Sequence, residues 1–212
     1  GGRAKHEETR GIDLHRHRQR TVGVTTLPQG FHSHVANIGV KDDTDDFVVI
    51  AARAAVPVAA VFTKSRFAGP SVILSRANVA DGTARAVVVI SKNANVATGQ
   101  QGHDDAIEVA RSVAARLGCE PTDVVVTSTG VIGRRYPIER IRAGMAVLPS
   151  ELTSDDADRP ARGMMTTDTV PKLAEATIAG STARVVGMAK GVGMIEPDMA
   201  THISLLFTDA EL

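Results

Sequence analysis

Apolar residues recur with two rhythms along the 212-residue chain, and the rhythms separate strands from helices. Short β-branched runs at Phe47–Ile50, Val58–Phe62, Val72–Leu74, Val87–Ile90 and Val124–Thr127 predict strands, several of them buried on both faces because no polar residue interrupts them. From His103 to Leu117 the rhythm lengthens, and Ile107, Ala110, Val113, Ala114 and Leu117 fall on one helical face. Asp104 and Asp105 sit near the positive end of that helix, and Gly118 stands where it should stop. Pro137 opens a second helix whose Ile138, Ile141, Met145 and Leu148 repeat until Pro149. Residues 150–162, rich in Ser, Asp and Arg, read as a surface connection leading into a third helical turn. Thr177–Ile178, a Gly180-Ser181 turn and Ala183–Met188 read as a hairpin, and His202–Phe207 as a last strand. Helices and strands interleave without a repeat, so the pattern predicts an α/β (α+β) layered sandwich.

Composition narrows the function. Lysine plus arginine and aspartate plus glutamate number 24 each, so no global field recruits nucleic acid or an anionic membrane. Aromatic residues are only 3% of the chain, which leaves few platforms for stacking on bases. The one cysteine, Cys119, excludes an intramolecular disulfide and a Cys-based zinc cluster, and it reads as inert packing after a helix stop. No apolar run is long enough to span a membrane and no signal core precedes the first strand, so a cytoplasmic protein is expected. Residues 1–20 hold His15 and His17 among five arginines and only two larger apolar residues, and they read as a tail or tag. The domain proper is placed at residues 21–200. His15/His17 and His32/His34 each put two imidazoles on one face of an extended segment, but no third ligand lies nearby, so no metal is expected. The Asp42–Asp46 run lacks the glycine and distal glutamate of a calcium loop and reads as a solvated turn.

Two glycine-rich stretches draw attention, Thr129–Gly133 after a strand and Gly187–Gly193. Neither follows the order of a phosphate-binding loop. The first does leave amide N–H groups free at the end of Val124–Val126, beside the hydroxyls of Thr127, Ser128 and Thr129. That arrangement suits a developing oxyanion at Thr129 and Gly130, and it equally suits a threonine-capped turn. No GxSxG elbow or Ser-His-Asp order is present. Thr201, preceded by the small Ala200, offers a different nucleophile. If the Ala200–Thr201 bond were cut, the new α-amine, with a pKa of about 8, would serve as the base for its own hydroxyl. Ala-Thr pairs are common, and this one also fits the start of the final strand.

The string Lys190-Gly191-Val192-Gly193-Met194-Ile195-Glu196-Pro197-Asp198-Met199-Ala200-Thr201 strongly resembles the self-cleavage segment of the ornithine acetyltransferase (glutamate N-acetyltransferase) family. Four further segments match in the same order: Phe62-Thr63 with Phe67–Pro70, Asn93–Gly99, Thr127–Gly133, and Met165–Thr169 with Pro171-Lys172. The resemblance covers about residues 22–212. It implies a self-processing N-terminal-nucleophile fold whose precursor cuts itself between Ala200 and Thr201, with residues 201–212 opening the β chain. It further implies an acyltransferase without metal or coenzyme, moving acetyl from N-acetylornithine to glutamate with release of ornithine. Thr201 would be the acetyl-carrying nucleophile, and Thr129 and Gly130 the oxyanion hole. Lys190 would bind substrate with Thr167 or its neighbour Thr166. The α and β chains would stay associated and pair further as (αβ)2, and Gly191, Gly193 and Pro197 would set the approach for cutting. Relatives continue well beyond the nucleophile whereas this chain stops at Leu212, so it is expected to hold about half of the fold. Hydrolysis in place of transfer, by an amidohydrolase or aminopeptidase, and a non-catalytic fragment are the alternatives.

Overall fold

The computed structural model describes residues 23–191 and 201–211. The predicted tail at 1–20 lies outside these residues, with His15 and His17, as do Gly193, Pro197 and Ala200 of the self-cleavage segment. Seven strands among the described residues form two sheets. The first holds β1 (Phe31–Ala36), β2 (Phe47–Pro57), β3 (Thr83–Ile90) and β4 (Val124–Ser128) in that spatial order. β1, β2 and β3 pair antiparallel, and β3 and β4 pair parallel across helix α2 (Gly99–Leu117). The second is an antiparallel meander of β5 (Lys172–Thr177), β6 (Arg184–Lys190) and β7 (Ile203–Thr208).

The apolar runs are continuous because both faces of the first sheet are covered. Phe47, Val49, Ala51, Val88 and Ile90 pack with Val109, Val113 and Leu117 of α2 and Ile141 and Met145 of α3 (Ile138–Ala146). The alternate residues Val48, Ile50, Val87 and Val89 turn the other way, against Leu173, Val186, Met188 and Ile203 of the second sheet. Helix α4 (Asp158–Gly163) closes this second core with Ala157, Ala161 and Met164. The result is a helix–sheet–sheet sandwich, as the alternation of elements predicts. Ile50 is 1% exposed between the sheets. Ile50→Ala should therefore cost about 2–5 kcal/mol, read as a lowered denaturation midpoint with the slope unchanged.

Several boundaries follow the sequence closely. Gly118 ends α2 in the left-handed region, with φ 67°, and Pro137 caps α3. The β5–β6 hairpin turns where the pattern places it, but β5 runs back from Thr177 to Lys172, beyond the predicted Thr177–Ile178, and the last strand is one residue later than predicted. Cys119 is half-buried, and burial pushes its thiol pKa up, consistent with packing.

Other expectations fail for identifiable reasons. Val72–Leu74 is not a strand but the middle of helix α1 (Pro70–Asn78). That helix buries a polar stripe of Ser71, Ser75 and Asn78 and leaves Ile73 exposed. Ser75 Oγ exchanges hydrogen bonds with the Val126 carbonyl (2.7 Å) and amide (2.8 Å), so the helix is stitched to β4 rather than greased against it. Val58–Phe62 forms no strand: it follows Pro57, and Val61 stands fully exposed. Segment 150–162 is not all surface, since α4 begins inside it and buries Pro160 and Ala161. On α2 the buried stripe runs through Gly102, Asp105, Ala106 and Val109 and leaves Ile107 at its edge. The acidic run is a turn, but Asp46 is wholly buried and accepts the Ile38 (2.8 Å) and Val40 (2.7 Å) amides. His32 and His34 do share a face of β1, opposite Ala51 and Val49, and no metal-holding cluster of three or more His, Cys, Asp or Glu occurs among the described residues. No helix among those residues is long and apolar enough to cross a membrane.

Candidate active site

At the carboxyl ends of the parallel pair β3 and β4 the chain makes two turns side by side. Thr129 N donates to Ile90 O (3.0 Å), Val131 N to Lys92 O (3.2 Å), and Ala94 N to Val131 O (3.0 Å). Gly130 lies at φ +137°, and a Cβ there would sit 2.2 Å from the Lys92 carbonyl carbon and 2.5 Å from Asn93 N. Only glycine lets the two backbones approach this closely. The facing turn carries strain of its own, because Lys92 (φ 74°), Asn95 (φ 48°) and Ala97 (φ 59°) all hold left-handed conformations. Asn93 and Asn95 keep it in place. Asn93 Nδ2 donates to Arg134 O (3.1 Å) and Arg135 O (2.9 Å), its Oδ1 accepts from Asn95 N (2.8 Å), and Asn95 Nδ2 reaches Gly102 O (2.8 Å). Below the turn Ser128 Oγ joins Ser71 Oγ (2.7 Å) and the buried Tyr136 hydroxyl, anchoring β4 to α1.

Lys190 is the last residue of β6 and pairs in register with Ile203 of β7, which places it beside the start of β7 and hence beside Thr201. Its side chain crosses to the first sheet. The buried Nζ donates to Thr129 Oγ1 (2.9 Å), Thr166 Oγ1 (2.8 Å) and the Thr201 carbonyl (3.4 Å). Burial lowers the pKa of this ammonium, the Asp168 carboxylate raises it and Lys172 lowers it. Because the Thr129 hydroxyl accepts from Lys190, its own hydrogen remains available to a further acceptor. The Gly130 amide meets no acceptor among the described residues. Thr129 Oγ1 and Gly130 N are thus two neighbouring donors in this turn, the first of them in contact with a buried cation.

Of the residues singled out from sequence, Thr129, Thr166, Lys190 and Thr201 are brought into one cluster, with Gly130 at its edge. Thr167 is exposed beside the cluster, and the Lys190 contact in this structure belongs to Thr166. Ala200, and with it the carbonyl that Thr201 would attack, lies outside the described residues. Sequence reasoning gives no role to Asp168, which accepts from Lys172 Nζ (2.5 Å) and Gly191 N (2.8 Å) through Oδ1 and from Thr166 N (3.3 Å) through Oδ2. Burial alone would raise its pKa, but these donors hold it at about 2. The i,i+4 pairing of Asp168 with Lys172 around Pro171 is the signal that could have found it. Its partner Gly191 lies 23 residues away and needs the fold.

Fold and site together define a layered α/β protein with a buried lysine that gathers threonines from both sheets. A family model described as the ArgJ family matches residues 32–212, and the chain belongs to that family. It is 51% identical over 194 residues to the arginine biosynthesis bifunctional protein ArgJ 2 of a Nostoc species, covering 91% of this chain and 49% of that protein. It is also 52% identical over 186 residues to the glutamate N-acetyltransferase Oat2 of Streptomyces clavuligerus, covering 87% of this chain and 47% of that one. The chain therefore spans about half the length of the curated relatives it matches. Among solved structures, ArgJ of Bacillus halodurans superposes with a TM-score of 0.75 at 31% identity, over 84% of this chain and 94% of the other. The ornithine acetyltransferase of Mycobacterium tuberculosis, solved with ornithine, superposes with a TM-score of 0.73 at 30% identity, over 84% and 96%.

Proposed function

We propose that the chain is the nucleophile-bearing part of a glutamate N-acetyltransferase that cuts itself at Ala200–Thr201 and then moves acetyl from N-acetylornithine to glutamate. The observation that carries this reading is the convergence on Lys190 Nζ of Thr129, Thr166 and Thr201. It supports the reading because one cation suited to a substrate carboxylate reaches the hydroxyl of Thr129 and the backbone of Thr201, the residues to which the oxyanion donor and the nucleophile are assigned.

In this mechanism the Thr201 hydroxyl first attacks the Ala200 carbonyl, the amide nitrogen leaves as an amine, and water hydrolyses the resulting ester. The freed α-amine then takes the hydroxyl proton as Thr201 Oγ attacks the acetyl carbon of N-acetylornithine, and delivers it to the departing ornithine amine. The negative charge on the former carbonyl oxygen falls to Thr129 Oγ1 and Gly130 N. Glutamate's amine attacks the acetyl-threonine ester, the bond from Thr201 Oγ to the acetyl carbon breaks, the α-amine passes the proton lost by glutamate's amine to Oγ, and N-acetylglutamate leaves. In this reading the rest of the pocket and its acceptor selectivity fall to the part that the curated relatives have outside the matched region, with α and β chains associated and paired as (αβ)2 in the cytoplasm.

The test is product analysis with the protein made from the complete gene. Ornithine release should require glutamate and match N-acetylglutamate one for one. Ornithine and free acetate formed at the same rate without glutamate would replace transfer by hydrolysis.

A further inference from the structure

We propose that Asp168 is a positioning residue shared by self-cleavage and substrate capture, tying the substrate-facing threonine to the backbone on which the chain leaves β6 for the scissile bond. The proposal rests on the function given above. Asp168's side chain is 1% exposed, yet it is a carboxylate with three donors on it. One donor is the Thr166 amide, whose residue also presents Oγ1 to Lys190. Another is the Gly191 amide, the peptide immediately after Lys190. Gly191 holds φ +128°, and a Cβ on it would stand 3.1 Å from His202 Nδ1 and 3.5 Å from the Thr201 carbonyl oxygen. The two chain ends that flank residues 192–200 therefore meet here, and one carboxylate fixes the first of them.

The third donor, Lys172 on β5, balances the charge from a half-exposed position. An asparagine cannot replace this arrangement. It offers one acceptor oxygen, and its NH2 group would face a donor on the other side, so either the Thr166 edge or the Gly191 edge must come loose. Asp168 touches neither nucleophile nor Lys190 Nζ, and its effect passes through the groups it holds.

Electrostatics supply a readout that lost packing would not mimic. Among the described residues, the charged groups that act on Lys190 are Asp168 from the segment before β5 and Lys172 from β5; His202 lies beside Gly191 just before β7, and once the chain is cut the Thr201 α-amine joins them. Asp168 favours the charged form of Lys190 and Lys172 opposes it. Removing them should move the pH at which Lys190 loses its proton in opposite directions. Asp168→Asn should bring the alkaline rise in KM for N-acetylornithine to lower pH, and Lys172→Gln should carry it to higher pH.

The experiment expresses both variants and the wild type from the complete gene. Cutting is followed by intact mass, and KM and kcat of the matured fraction are measured across pH. Asp168→Asn should slow cutting and raise KM by roughly ten- to a hundredfold, the range for losing hydrogen bonds to a charged group, with kcat of the cut fraction less affected. Wild-type cutting and KM in Asp168→Asn would overturn the proposal, as would limbs that do not move or that move the same way in both variants. If Asp168→Asn does not accumulate folded, Asp168→Glu takes its place: it keeps the charge but, one methylene longer, cannot hold the Thr166 and Gly191 amides at their present separation, so slowed cutting and a raised KM with the alkaline limb unmoved support the assignment, and wild-type cutting and KM overturn it. A wild type that is never cut would instead defeat the function reading, so the two failures are distinct.

Discussion

Thr201→Ala should leave the product of the complete gene as one uncut chain with no acetyl transfer, a loss of roughly 10⁶ in kcat, the scale seen when a covalent nucleophile is removed. The size follows from one side chain doing two jobs. Without the hydroxyl, no acyl shift can begin at Ala200, so the α-amine that would activate the nucleophile is never released. Lys190 would still hold Thr129 and Thr166, because its contact to residue 201 is with the backbone carbonyl. The variant should therefore fold, and its inactivity would not reflect collapse. Thr201→Ser keeps the hydroxyl and should still cut, more slowly, since the missing methyl leaves an extra rotamer freedom to be lost. Intact mass and N-terminal sequencing check both. A second chain beginning at residue 201 should appear with Thr and Ser and be absent with Ala. A cut or active Ala variant would remove Thr201 from the mechanism.

What the sequence makes legible divides by range of interaction. The central strands are legible because Val87–Ile90 and Phe47–Ile50 are apolar on both faces, a pattern that needs no knowledge of what covers them. The end of α2 is legible because Gly118 takes the left-handed conformation that its place after Leu117 suggests. Helix α1 is not, because hydroxyls and an amide, rather than apolar groups, face β4, and the only apolar cluster in it points partly to solvent. Edge strand β1 alternates His32 and His34 with Ser33 and Val35 and stands out in the sequence only as a place for imidazoles. In the site, Thr129, Gly130, Lys190 and Thr201 stand out through their motifs. The bond from Lys190 to Thr129 spans 61 residues and two sheets, and it exists only once β6 is laid against the first sheet. Asn93 and Asp168 are legible as matching residues without a role, since their partners are mostly backbone atoms that any sequence would supply.

Gly130→Ala tests the proposed oxyanion donors themselves, and its effect should fall on kcat rather than KM. The added methyl would lie 2.2 Å from the Lys92 carbonyl carbon and 2.4 Å from its oxygen, contacts with backbone that no rotamer change relieves. Lys92 already sits in a left-handed conformation pinned through Asn93, so the facing turn has little room to yield. The Gly130 peptide must move instead, taking its N–H away from the place where the negative charge develops. Loss of one such donor costs about 3 kcal/mol of transition-state stabilisation, or roughly 10²–10³ in kcat, while ground-state binding through Lys190 persists. In the proposed mechanism the same donors serve the acyl shift, so cutting should slow in parallel. Gly133→Ala is the internal control. It lies three residues on at φ +78°, with nothing within 4 Å of the place its methyl would take, so it should carry only backbone strain of about 1–2 kcal/mol. Steady-state kinetics on the cut fractions separate the two variants. A Gly130→Ala enzyme with unchanged kcat, or one that loses only KM, would mean that the turn shapes the pocket without stabilising the charge.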